Sequence, residues 1–175
     1  MYHPSEDTFL LIRGLEGASS LGMVLEIGVG SGKVAEVLGE RADMYVGCDI
    51  SLSTLIQIIH STFSRTELVC CDSANCFINN HFDTIVFNPP YLPSEGIVDQ
   101  TVDGGRKGNE IIFKFLKSSF KLLKQNGSIF FISSSLADLQ EIKDFIKEKK
   151  FDYKIIIKEH FIFEDIYLFR CRKLF

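Results

Sequence analysis

The residues that could do chemistry fall in two short groups, each following an apolar run. Phe82-Asp83-Thr84-Ile85-Val86-Phe87 reads as a buried strand, and Asn88-Pro89-Pro90-Tyr91 comes directly after it. Two consecutive prolines supply no N–H for a ladder, so the chain must leave the sheet at Asn88. A side-chain amide at that point can grip a planar NH2 group, and the carboxyl ends of strands are where open α/β sheets hold their ligands. The second group is Glu26-Ile27-Gly28-Val29-Gly30-Ser31-Gly32. Its glycines let the backbone turn sharply and approach a ligand closely. The third glycine of a dinucleotide fingerprint would fall at position 33, which is Lys33, so the nicotinamide and flavin pattern is broken.

Helical and strand-like segments alternate along the chain, the pattern of βαβ units around a mostly parallel sheet. A short helix over residues 5–14 opens with a Ser-x-x-Thr cap-like pattern. Strands are expected over residues 23–28, 44–49, 66–70, 82–87 and 128–134. Helices are expected over 33–40, 52–63, about 106–123 and 136–149. The closing β-rich runs, 153–160 and 166–172, are joined by five residues, too few for a crossover helix. They must form a hairpin, which makes one strand antiparallel.

Composition narrows the class. At 175 residues the chain suits one domain, residues 1–175, able to bury about 70% of its unfolded surface. A net charge of -4, without a long basic run, argues against a protein that draws its affinity from phosphates. Cys48, Cys70, Cys71, Cys76 and Cys171 have no CxxC spacing and read as buried thiols in a reducing compartment, so a cytoplasmic or nuclear location is expected. The acids point to a cofactor class. Glu26, Asp49 and Asp72 stand at or just after the ends of the first three strands, where they would repel a phosphate but accept bonds from hydroxyl and amine donors.

Five βα units, a terminal hairpin and the Gly-x-Gly-x-Gly loop after an acid resemble the Rossmann-like class I S-adenosylmethionine-dependent methyltransferases. That resemblance implies a seven-stranded, mostly parallel sheet of order 3-2-1-4-5-7-6 with an antiparallel C-terminal hairpin. It also implies S-adenosylmethionine as cofactor and S-adenosylhomocysteine as product. Asp49 would hold the ribose hydroxyls beside Ile50, Asp72 the adenine amine with Ser73 beside it, and the backbone of Gly28, Gly30 and Gly32 the methionine moiety. Asn-Pro-Pro-Tyr resembles the motif of methyltransferases acting on planar amino groups: adenine N6, guanine N2 and the glutamine side-chain amide. There the Asn88 side-chain carbonyl and the Pro89 backbone carbonyl would accept the two N–H bonds, Pro90 would stiffen the turn, and Tyr91 would stack on the target.

Two further segments narrow the family. Tyr2-His3-Pro4-Ser5-Glu6-Asp7-Thr8-Phe9-Leu10-Leu11 and Gly104-Gly105-Arg106-Lys107-Gly108 resemble elements of the eukaryotic and archaeal HemK-like release-factor glutamine methyltransferases. The departures are His3 in place of an acid and Lys33 after the glycine loop. The family methylates the glutamine of the Gly-Gly-Gln loop in the class 1 translation termination factor, as a heterodimer with a small zinc-binding activator. It has also been linked to histone lysine. By the same resemblance Thr8, Glu26 and Asn88 would line the cofactor, while Gly104, Gly105 and Arg106 would clamp the target loop, with residues 92–105 reading the substrate. Hydrophobic residues at 46% of the chain, 16 of them Phe, and a mean hydropathy of +0.13 favour a covering partner. The third strand is an open sheet edge where one could dock. The competing readings are a nucleic-acid adenine or guanine methyltransferase, which wants a basic face, and an inactive scaffold subunit, which would not need Asn88 to Tyr91 intact.

Overall fold

The computed structural model describes residues 6–18, 20–59, 65–93 and 104–174. One seven-stranded sheet of order β3-β2-β1-β4-β5-β7-β6 forms its frame. The strands are β1 (Met23–Ile27), β2 (Met44–Asp49), β3 (Thr66–Cys70), β4 (Phe82–Phe87), β5 (Leu123–Ser134), β6 (Phe151–His160) and β7 (Asp165–Lys173). Strands β1 to β5 pair in parallel, while β7 lies antiparallel between β5 and β6, as the hairpin connection requires. The order therefore matches the expected one. No helix among the described residues is long and apolar enough to cross a membrane.

Among the described residues the α-helices are α1 (Glu6–Leu15), α2 (Lys33–Leu38), α3 (Leu52–Ile58), α4 (Glu110–Leu122) and α5 (Leu139–Glu148). They divide the core into two layers. One holds Leu10, Leu11 and Leu15 of α1 against Val24, Val86 and Ile132. The other holds Ile112 and Leu116 of α4 and Ile142 and Ile146 of α5 against Leu25, Ile85 and Ile129. Strands β1 and β4, covered on both faces, read as continuous apolar runs for that reason. The high phenylalanine content is partly internal: Phe87, Phe131 and Phe169 stack across three adjacent strands with centroid spacings of 5.2 and 4.9 Å.

Several boundaries differ from the sequence expectation. Helix α4 begins at Glu110 rather than near 106, because Gly108 adopts φ 74, outside the helical region, in a turn against Tyr91. Helix α5 begins at Leu139, where the Asp138 side chain accepts from the Glu141 N–H at 3.0 Å. Strand β5 starts five residues early, its first residue Leu123 pairing with Phe82 before a register shift. The helix expected over 52–63 runs as α3 to Ile58, and residues 60–64 lie outside the described residues, as do Tyr2, His3, Pro4 and the cap-forming Ser5. The thiols also differ: Cys48 and Cys171 are buried, whereas Cys70 and Cys76 are exposed and Cys71 is half-buried.

Phe131 is fully buried at the centre of the aromatic stack. Phe131→Ala should cost about 3–5 kcal/mol, the range for truncating a buried aromatic. Urea unfolding would measure this, and a loss below about 1 kcal/mol would show that the stack can collapse into the space.

Candidate active site

Strand β4 delivers Asn88, Pro89, Pro90 and Tyr91 to the carboxyl end of the sheet, and α1 receives them. The Asn88 Nδ2 donates to Thr8 Oγ1 at 3.4 Å, and the Tyr91 hydroxyl donates to Asp7 Oδ2 at 2.9 Å. Asp7 and Thr8 are themselves buried, 6% and 5% exposed, and the Thr8 N–H donates to Asp7 Oδ1. Two bonds thus tie a strand end to a helix start about eighty positions earlier. With its NH2 turned to Thr8, the Asn88 amide aims its carbonyl oxygen the other way. That oxygen is buried and has no hydrogen-bond partner among the described residues. A buried acceptor left open is costly, and it is the group that a planar NH2 donor would satisfy.

The Gly104-to-Gly108 element backs this loop. Gly104 donates its N–H to the Leu92 carbonyl at 2.9 Å, and a Cβ at Gly108 would stand 2.4 Å from the Tyr91 carbonyl oxygen, closer than any side chain can come. Its other side is pinned to α5: Asn109 Nδ2 donates to the Asp138 carbonyl and to Glu141 Oε2 at 3.0 and 3.1 Å, and Lys107 pairs with Glu141 at 3.3 Å. Gly105 is half-buried and Arg106 is exposed, at the surface of the turn. Of the segment 92–105 expected to read substrate, residues 94–103 lie outside the described residues.

The glycine loop turns as expected, with φ of 80, 52 and 77° at Gly28, Gly30 and Gly32, angles that side chains rarely adopt. Asp49 holds the loop to the end of β2: one carboxylate oxygen accepts from the Gly30 N–H at 3.2 Å and the other from the Ser51 N–H at 2.9 Å. A carboxylate has about four acceptor sites, so Asp49 retains capacity for ligand hydroxyls. Beside it Ile50 is 71% exposed, an apolar surface at the mouth of the loop. The Phe115 ring of α4 lies against Gly28 and makes an edge contact with Phe87, so it spans the gap between the two chemical groups.

The acids are not a uniform rim. Glu26 lies beneath the loop, 3% exposed, and accepts the Tyr45 hydroxyl at 2.6 Å. Burial pushes its pKa to about 8, the Tyr45 bond opposes the rise, and the Asp49 charge adds to it. Protonated near neutral pH, Glu26 adds no charge to the site, and the Asp49 carboxylate above it is the group that favours a sulfonium or ammonium over a phosphate. Asp72 is exposed and paired with Lys114 at 2.8 Å, with Ser73 Oγ donating to the same carboxylate. The Lys114 bond, followed by the Ser73 bond, lowers its pKa. The structure therefore gathers Thr8 and Asn88 to Tyr91 in one cluster and Gly28, Gly30, Asp49 and Ile50 in another. Asp72 and Ser73 stand at the α4 side. Asp7, Tyr45, Lys114 and Phe115 make contacts in this region that no sequence motif marks. Asp7 lay within a recognised segment, but nothing in the one-dimensional pattern shows which side chain it meets.

Fold and site together define an S-adenosylmethionine-dependent methyltransferase of class I, with the glycine loop, Asp49 and Ile50 suited to hold the cofactor. The chain belongs to the Eco57I restriction-modification methylase family, whose model matches residues 49–163. Over nearly its whole length it is also similar to a Methanocaldococcus jannaschii protein bearing the name of a protein N5-glutamine methyltransferase, with 28% identity over 99% of this chain and 92% of that one. The mouse methyltransferase HEMK2 is 29% identical over 81% of this chain and 75% of its own. Among solved structures, the E. cuniculi Mtq2–Trm112 complex, described as responsible for methylating the eRF1 termination factor, matches with a TM-score of 0.79. Identity there is 26%, over 99% of this chain and 98% of that one.

Glu26 carries a pH signature. Its pKa is raised on folding, from 4.5 to about 8, so between those values the unfolded chain has lost a proton that the folded chain keeps. Its contribution to stability is therefore complete below about pH 4.5 and falls as pH rises toward 8. Glu26→Gln keeps an acceptor for Tyr45 and removes the titration. Relative to wild type, the variant should gain stability between pH 5 and pH 8 in urea unfolding, and parallel profiles would show that Glu26 is ionised in the folded protein.

Proposed function

We propose that this chain is the catalytic subunit of a protein-glutamine N5-methyltransferase, acting on the glutamine of the Gly-Gly-Gln loop in the class 1 translation termination factor. One observation carries the reading: the buried carbonyl oxygen of Asn88, which has no hydrogen-bond partner among the described residues. An amide nitrogen is a poor nucleophile because its lone pair is delocalised, and no side chain near neutral pH can usefully deprotonate it. Orientation has to do the work. Asn88 Oδ1 and the Pro89 carbonyl accept the two N–H bonds of the target, which turns the nitrogen lone pair toward the glycine loop. The Thr8 bond fixes which end of the Asn88 amide faces the target, and the Asp7 bond holds Tyr91 beside it. S-adenosylmethionine, when bound, supplies an electrophilic methyl group. Thr8, Glu26, Gly28, Gly30, Gly32, Asp49, Ile50, Asp72 and Ser73 are the residues to which its binding is assigned. Gly104, Gly105 and Arg106 flank the target side. Action in the cytoplasm, where termination factors work, accords with this substrate.

The family description favours a second reading, an amino group of a nucleic-acid base, since the same four residues suit adenine. The net charge of -4 opposes it, because a duplex-binding face needs cations to replace released counterions. Asn88→Ala should lower methyl transfer to termination factor by on the order of 100-fold to 1,000-fold with the fold intact, the range for removing one preorganised polar group. Asn88→Asp should not restore it fully, because a carboxylate lacks the donor that Thr8 receives. Assays on whole termination factor, its Gln→Asn variant and adenine-containing DNA decide the substrate. Methylated DNA with untouched protein would move this chain to the nucleic-acid branch.

The partner is a small zinc-binding activator of the Trm112 type. Strand β3 is a sheet edge, with Glu67 and Cys70 exposed and Thr66, Leu68 and Val69 half-buried. The exposed apolar side chains Ile56 and Ile59 lie on or just after the neighbouring helix α3. An edge with apolar surroundings is a template for strand addition by another protein. Expressed alone, the chain should be poorly soluble or weakly active, and coexpression with the activator should restore both, as read by soluble yield and turnover. A soluble, fully active monomer would refute this.

A further inference from the structure

The turn between β6 and β7 exposes two large apolar side chains in succession: Ile162 is 87% exposed and Phe163 89%. An exposed phenylalanine beside an exposed isoleucine is poorly placed for stability, and such patches mark interaction sites. The turn is nonetheless firmly built. The Phe161 N–H donates to the Glu164 carbonyl at 2.8 Å, closing a four-residue turn with Ile162 and Phe163 at its two central positions. Asp165 then anchors it. Its carboxylate takes Lys158 at 2.8 Å and His160 at 2.8 Å, its N–H donates to Ser135 Oγ at 2.9 Å, and its carbonyl accepts from the Ser135 N–H at 2.8 Å. The Lys158 bond, followed by that of His160, holds the Asp165 pKa down at about 2, so the carboxylate is ionised at physiological pH. Ser134 Oγ also bonds Glu164.

The register places this turn beside the chemistry. Phe87 pairs with Phe131, and Ser134 pairs with Ile166, so residues 161–164 lie just past the end of β5, at the same end of the sheet to which β4 delivers Asn88. Phe161 and Tyr91 pack against one core cluster, and Arg13 of α1, the helix that holds Asn88 and Tyr91, pairs with Glu159 of β6. Leu136, 47% exposed, follows the Ser135 that anchors the turn and adds a third exposed apolar side chain at this end of the sheet. We propose that the Ile162–Phe163 tip, with Leu136 beside it, is a docking point for the polypeptide that carries the target glutamine, gripping an apolar side chain of that protein outside its Gly-Gly-Gln loop. The proposal rests on the glutamine reading above. A glutamine held at Asn88 sits two to three strand spacings from the tip, roughly 10–15 Å at about 4.8 Å per strand; at about 3.3 Å per extended residue a folded substrate covers that span, and a peptide with only one or two residues on either side of the glutamine does not. A rigid turn loses little freedom on binding, so its apolar contacts convert efficiently to affinity.

The test uses the coexpressed heterodimer with Ile162→Ser and Phe163→Ser combined, neither residue belonging to the methyl-transfer machinery. Relative to wild type, kcat/KM on whole termination factor should fall by about tenfold or more, mainly through KM. Turnover of a short peptide containing Gly-Gly-Gln, affinity for S-adenosylhomocysteine and thermal midpoint should be unchanged. Equal kcat/KM on the whole factor would overturn the docking role while leaving the glutamine reading standing. Equal losses on factor and peptide would also overturn it, by showing that the tip supports the site itself. Loss of the activator from the purified complex would assign the tip to that partner instead. A wild-type heterodimer that leaves the termination factor unmethylated would remove both readings together.

Discussion

The site depends on two hydrogen bonds that cross from the first described helix to the end of the fourth strand. Thr8 receives the Asn88 amide NH2 and Asp7 receives the Tyr91 hydroxyl. Without the first, the Asn88 side chain could rotate and expose either end of its amide, and the acceptor needed for an incoming NH2 would be correctly placed only part of the time. The second anchors the ring that closes the motif. The prolines cannot substitute for these bonds. They stiffen the backbone through Pro89 and Pro90, whereas the orientation of an amide plane is a side-chain matter. Burial makes the arrangement decisive, because an acceptor shielded from water gains far more from a ligand N–H than a solvated one does.

The same logic distributes the rest of the fold. Helix α1 lies across one face of the sheet with Leu10, Leu11 and Leu15 buried, so its first turn can hold polar groups in a fixed place. On the opposite face the Phe115 ring lies 3.7 Å from where a Gly28 Cβ would stand and packs edge-on against Phe87, between the glycine loop and the end of β4. Methyl transfer is a reaction of position: α1 holds Asn88 and Tyr91, and Asp49 holds the glycine loop. Replacing Gly108 by any side chain would push on the Tyr91 carbonyl, so the Gly-Gly-Arg-Lys-Gly element acts on the site through its lack of volume.

What was legible in the sequence follows from which forces are local. Strands β2, β3 and β4 stand at the expected residues because continuous apolar runs bounded by polar or proline residues leave one reading. The sheet order was legible through family resemblance, which the pairings match. Helix starts were less so. Arg106 to Asn109 carry no composition that forbids a helix except Gly108, and its left-handed backbone is dictated by contact with Tyr91, seventeen residues away. Glu26 looked like a strand-end acid on a ligand rim, since nothing nearby in sequence announces Tyr45 on the adjacent strand or the burial that keeps the carboxyl group protonated. Likewise, the Asp72 partner Lys114 comes from a helix forty-two positions later, a pairing that only the fold brings about.

The two ends of the candidate cofactor site consequently differ in how their acids are held. Asp49 is tied to backbone N–H groups of its own loop region, bonds that hold the loop and leave acceptor capacity over, so a ligand can bind there without first breaking a contact. Asp72 carries its charge into an ion pair with a flexible lysine near the surface, where solvent screening makes the pair weak and exchangeable. A donor arriving at Asp72 therefore competes with Lys114 at little cost, while one arriving at Asp49 competes with nothing. Affinity should concentrate at the glycine-loop end of the site. The α4 end, where the fold offers an exposed acid and a movable cation, is better suited to discriminate among ligands than to hold them.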